Sequence, residues 1–193
     1  MNLAVFASGR GSNFSAISRA IKNNKIKVKL RILVCDQPQA PVIKRAQAAG
    51  VRVVLADRRD FASRRDFEIA IIQKLKDYKI DLIALAGFMR VLSPDFVKRY
   101  RNRIMNIHPS LLPAFKGAHA IADAYEAGVD STGVTVHFID EKVDHGPVIL
   151  QRKIKIGDKD TLASLEKRIH LLEHKLYPQA IELFISGKIK SSR

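Results

Sequence analysis

Three polar side chains of this chain have the types and placement to move an acyl group. Asn106 and His108 flank Ile107 in the run Asn106-Ile107-His108-Pro109-Ser110-Leu111-Leu112-Pro113. In extended backbone, residues two apart face the same way, so the amide and the imidazole share one side and Ile107 takes the other. Pro109 and Pro113 stiffen the chain just after them. An amide N–H beside an imidazole can polarise a carbonyl, stabilise the oxyanion formed by attack on it, and shuttle a proton. Asp144 lies in the polar run Asp140-Glu141-Lys142-Val143-Asp144-His145-Gly146-Pro147. A carboxylate folded against an imidazole favours its charged form and can take a proton from an attacking nucleophile.

A second constellation suits an anion. Ser8-Gly9-Arg10-Gly11-Ser12-Asn13 comes after an apolar run and opens an amphipathic one. Glycines let backbone approach a phosphate, and free N–H groups at a helix start point at it. Ser12 and Asn13 add side-chain donors. The segment is not a Walker loop and lacks the third glycine of GxGxxG. The same glycines also suit an ordinary strand–turn–helix connection. Metal chemistry is not expected: the six histidines show no HExxH spacing, and His119 and His137 stand alone. Cys35 is the one cysteine, so no internal disulfide forms and a reducing, cytoplasmic compartment is expected. Nothing near it in sequence would activate its thiol.

These groups need a scaffold, and the apolar pattern describes one. Strands are expected over residues 3–7, 28–34, 51–55, 81–86, 103–107, 133–139 and 147–154. The last two have no room for a helix between them and so pair antiparallel. Helices are expected over 13–22, over 41–50, from a cap at Asp60 or Ser63, from Ser93, over 118–127, and from a cap at Asp160 or Thr161 to about 185. Pro178 is expected to kink or break the last helix. Strand–helix alternation gives an α/β class, a mostly parallel sheet covered on both faces. One domain over 1–193 is expected, with a basic tail from about 187. In such sheets ligands gather at the carboxyl ends of strands, where Asn106 and His108 fall.

The 34 basic and 19 acidic residues give a net charge of +15. That favours anionic partners. The basic residues are scattered and no aromatic residues alternate with them, so specific nucleic-acid binding is not expected. No apolar run is long and uncharged enough to span a membrane, and no basic segment precedes the first apolar run as in a secretory signal.

The asparagine–histidine run resembles that of the folate-dependent formyltransferases. So do Ser8 to Asn13, Leu85-Ala86-Gly87-Phe88-Met89-Arg90 and Asp144-His145-Gly146-Pro147-Val148-Ile149. The resemblance extends over nearly the whole chain. It implies a seven-stranded, Rossmann-like sheet and formyl transfer from 10-formyltetrahydrofolate, without metal, to the amine of 5-phosphoribosylglycinamide. It implies Asn106, His108 and Asp144 as the catalytic trio. Gly11, Ser12 and Asn13 would hold the acceptor phosphate, and Glu173 the same substrate. The folate would meet Arg64, Met89, Arg90, Val91, Leu92, Asn106, Asp140, Glu141, Lys142, Val143 and Asp144. A monomer or homodimer is expected. Hydrolysis of the formyl folate and methionyl-tRNA formylation are rival enzyme readings. Each usually brings a further domain for which no room is expected here. A non-catalytic basic RNA-binding module would explain the charge but not the trio.

Overall fold

The computed structural model describes residues 1–189. Seven strands form one sheet: β1 (Asn2–Phe6), β2 (Lys29–Cys35), β3 (Arg52–Leu55), β4 (Leu82–Leu85), β5 (Ile104–His108), β6 (Ser131–Phe138) and β7 (Val148–Lys155). Their order is β3-β2-β1-β4-β5-β6-β7. The first five are parallel, and β6 and β7 run antiparallel to their neighbours. Six helices cover the sheet: α1 (Ser12–Lys22), α2 (Val42–Ala48), α3 (Arg64–Asp77), α4 (Pro94–Arg99), α5 (Ala120–Glu126) and α6 (Leu162–Ile185).

The central strands are apolar on both faces, and alternation sorts their side chains into two cores. Leu3 and Val5 of β1 join Leu82 and Ala84 of β4 beneath α1, α2 and α6. Ala4 and Phe6 join Ile83 and Leu85 beneath α3 and α4. On β5, Met105 and Ile107 enter the first core and Ile104 the second. Asn106 and His108 continue the Ile104 side beyond the point where that core ends.

Caps fall where short polar side chains stand. The Ser63 side chain accepts from the Asp66 N–H, and Ser93 from Phe96. Thr161 and Ser164 satisfy each other's backbone in a capping box at the start of α6. Pro178 does not break α6, which runs unbroken for 24 residues. Its missing N–H forfeits one helical bond. However, Tyr177, Pro178, Ala180 and Ile181 are all buried, and that packing holds the two halves together. The fully buried Tyr177 hydroxyl lies 2.9 Å from the Leu85 carbonyl and 3.0 Å from that of Met105, fastening α6 to β4 and β5. Part of the expected basic tail, residues 190–193, lies outside the described residues.

Candidate active site

β5 and β6 pair with Asn106 opposite His137 and His108 opposite Thr135. Residues directly opposite in an antiparallel pair share a face, so four polar side chains meet at the strand ends. Thr135 anchors the segment that leaves β5. Its hydroxyl donates to the Ser110 carbonyl at 2.7 Å and accepts from the Leu112 N–H at 3.1 Å and Gln151 Nε2 at 2.8 Å. The Ser110 hydroxyl donates to the Ala114 carbonyl at 2.6 Å. His108 Nε2 donates to the Phe115 carbonyl at 2.8 Å, leaving Nδ1 turned to Asp144.

His137 aims the Asn106 amide. Its Nδ1 donates to the Phe138 carbonyl at 2.8 Å, so Nε2 of the neutral ring accepts from Asn106 Nδ2 at 3.3 Å. Burial pushes the His137 pKa down, against the opposing pull of the Phe138 carbonyl and Asp144. The amide nitrogen keeps its second hydrogen for a ligand.

Asp144 lies across from both rings. Its Oδ2 is 3.4 Å from His108 Nδ1 and accepts from the Gly117 N–H at 2.9 Å, and its Oδ1 is 3.8 Å from His137 Nε2. Its backbone is left-handed, with φ of 48°, a conformation Asp and Asn tolerate better than most residues. The loop that carries it is tied to itself. Asp140 accepts from His145 Nδ1 at 2.6 Å and from the Lys142 N–H at 2.9 Å. Burial pushes the Asp140 pKa up, but these two hydrogen bonds outweigh it and the net shift is downward. Gly146 closes the loop against β6; a Cβ there would lie 2.0 Å from the Phe138 carbonyl oxygen.

The trio lines a cleft of about 570 Å³ that the Gly11–Asn13 segment also lines. Gly11 has φ of 75°, and a Cβ on it would stand 2.4 Å from Val42 Cγ2, so only glycine brings the chain this close to α2. α1 has no side-chain cap and no acidic residue in its first turn, which leaves helix-start N–H groups for an anion. Beside it, the buried Glu173 accepts from Asn13 Nδ2 and from His170 Nδ1, each at 3.0 Å. The Glu173 hydrogen bond raises the His170 pKa despite partial burial. Asn13 Oδ1 is buried without a partner, an acceptor that a ligand donor would satisfy.

Met89, Arg90, Val91, Leu92 and residues 140–144 form the remaining wall. The Arg90 guanidinium is held by the buried Asp36 at 2.6 Å and stands over the Phe67 ring. Arg64 does not line this cleft. Its Nη2 donates to the Val91 carbonyl at 2.7 Å and its Nε to Glu68 at 3.2 Å, so it braces the 89–92 segment from behind. Sequence reasoning missed Thr135, Gln151 and the Asp36–Arg90 pair. The alternation of Thr135 with His137 on β6 was a usable signal for the first; a lone aspartate at a strand end gave none for the last. Cys35 is buried, and burial raises its thiol pKa.

An amide, an imidazole and a carboxylate share one cleft of an α/β fold with a glycine-led helix start, groups whose chemistry suits acyl transfer. The model of the formyl transferase family matches residues 1–181. A phosphoribosylglycinamide formyltransferase of Bacillus subtilis (strain 168) is 47% identical over 93% of this chain and 92% of that protein. One of Escherichia coli (strain K12) is 40% identical over 98% of this chain and 90% of its own length. The crystal structure of glycinamide ribonucleotide transformylase 1 from Geobacillus kaustophilus superposes with a TM-score of 0.92 at 48% identity, covering 95% of this chain and 97% of that one. The chain belongs to the formyl transferase family.

Proposed function

We propose that the protein transfers the formyl group of 10-formyltetrahydrofolate to the amine of 5-phosphoribosylglycinamide, a step of de novo purine synthesis. The observation that carries this reading is one cleft lined both by the uncapped, glycine-led start of α1 and by Asn106, His108 and Asp144. The named relatives act in the same sense by their names.

In this reading the acceptor phosphate sits on the N–H groups and side chains of Gly11, Ser12 and Asn13, and Glu173 takes substrate hydroxyls. The folate lies along Met89 to Leu92 and the 140–144 loop. The amine nitrogen attacks the formyl carbon, forming a C–N bond and an oxyanion. The free N–H of Asn106 and the Nδ1–H of His108 in its protonated form stabilise that oxyanion, a contribution of about 3–4 kcal/mol for a well-placed donor. Asp144 helps carry the amine proton toward the leaving folate nitrogen as the old C–N bond breaks. Small anionic substrates agree with the net charge of +15. No nucleic acid or membrane partner is part of the proposal, nor is any metal. Among the described residues, no three His, Cys, Asp or Glu side chains group to hold one, and no helix is long and apolar enough to cross a membrane.

A steady-state assay with both substrates tests this. Acceptor-dependent transfer is expected, at a rate unchanged by a chelator. Activity lost on chelation and restored by a divalent ion would contradict the metal-free reaction. Arg64 refines the folate side. Because it braces Val91 from outside the cleft, Arg64→Ala is expected to raise KM for the folate several-fold and leave KM for the acceptor near normal. Equal loss for both substrates would place its effect on the fold of α3.

A further inference from the structure

A second concavity, of about 830 Å³, lies on the other side of α1, between that helix, β7 and α6. Five cations from five segments line it: Arg19, Lys25, Arg45, Arg152 and Lys175. Among the described residues none of the five has a carboxylate within ion-pair distance. All five are exposed, and Arg45 and Arg152 donate to the Ser15 hydroxyl and the Gln151 carbonyl; with no carboxylate beside them, their summed field favours an anion.

Two further groups in the same groove lack partners. His174 Nε2 and Glu182 Oε2 are buried atoms with no hydrogen bond. Burial lowers the His174 pKa, which favours the neutral ring. A neutral imidazole nitrogen and a carboxylate oxygen lying unpaired is an arrangement that sugar hydroxyls satisfy, since a hydroxyl both donates and accepts. Ile26, Leu150 and Leu171 give the groove an apolar wall. The volume is that of a small-molecule site. No aromatic side chain lines it to stack the bases of a nucleic-acid strand.

We propose that this groove is a second site, separate from the substrate cleft, for a small phosphorylated sugar compound such as a nucleoside polyphosphate. The phosphates meet the five cations, the sugar hydroxyls meet His174 and Glu182, and the apolar wall takes the remaining ring. Ser12 borders both concavities, and α6 carries Glu173 toward one and His174 toward the other. Occupancy of the groove therefore bears on the two helices that frame the acceptor end of the cleft.

The test is titration of the full chain with inorganic pyrophosphate and with ATP, by calorimetry and by thermal shift. Saturating 5-phosphoribosylglycinamide is present to fill the cleft. One saturable site is expected for each probe, with ATP at least as tight as pyrophosphate. In the double variant Arg19→Ala, Arg152→Ala, affinity is expected to fall at least about tenfold and the thermal shift to vanish, with KM for both substrates within about twofold of the parent. Absent binding, equal binding by the variant, or pyrophosphate binding tighter than ATP would overturn the proposal. The groove is read from the difference between parent and variant. Failure of the acceptor to bind would count against the proposed function, not against this site.

Discussion

Asp144→Asn is expected to lower kcat by about a hundredfold or more, the usual scale for an acid–base group, while KM for both substrates changes little. The substitution is close to isosteric, and the left-handed backbone at φ of 48° suits asparagine as well as aspartate. An amide oxygen can still accept from the Gly117 N–H, now at 2.9 Å from Oδ2, so the loop should keep its place. What is lost is charge. The carboxylate that faces His108 Nδ1 at 3.4 Å and His137 Nε2 at 3.8 Å becomes neutral. It no longer favours positive charge on the neighbouring imidazole and cannot take the amine proton. Both losses fall on the chemical step, and a hundredfold corresponds to about 2.7 kcal/mol of transition-state stabilisation. A merely structural turn aspartate would tolerate asparagine almost silently. Steady-state kinetics with ligand titration of the folded variant separate the cases; a near-normal kcat would remove Asp144 from the mechanism.

Ser12→Asp is expected to weaken acceptor binding at least about tenfold, or ~1.4 kcal/mol, and to leave folate binding close to normal. Ser12 is the first residue of α1 and lines the cleft. A carboxylate there competes with a ligand phosphate for the same helix-start N–H groups. Like charges about 4 Å apart at an effective dielectric of about 20 repel by about 4 kcal/mol, and water reduces this. The same carboxylate favours α1 itself, whose first turn has no acid, so the fold should not suffer. A melt at or above that of the parent, with a raised KM for the acceptor alone, is the expected pattern. Equal weakening of both substrates in a folded variant would sever the loop from the phosphate.

Much of this architecture is legible in the residues alone. Short continuous apolar runs at β1 and β4 and the capping serines locate most elements within a few residues. The Asn106–His108 spacing predicts a shared face, and the register of β5 against β6 bears that out. Pro178 misleads because local chemistry forbids what tertiary burial of α6 permits. Resemblance assigns Arg64 to a folate contact; the fold adds hydrogen bonds from its guanidinium to Val91 and Glu68, partners that no one-dimensional pattern contains. Thr135 and Gln151 acquire their roles only when β6 and β7 pair, and the Asp36–Arg90 contact joins residues 54 positions apart. Such contacts depend on strand order, which one sequence does not state.

The fate of the formyl carbon tests the central claim most directly. With 10-formyltetrahydrofolate labelled in the formyl group and 5-phosphoribosylglycinamide supplied, mass spectrometry is expected to find the label on the acceptor amine, in amounts equal to the donor consumed. Without acceptor, the donor should persist. Label released as formate at a rate indifferent to the acceptor would make the protein a hydrolase and contradict the account.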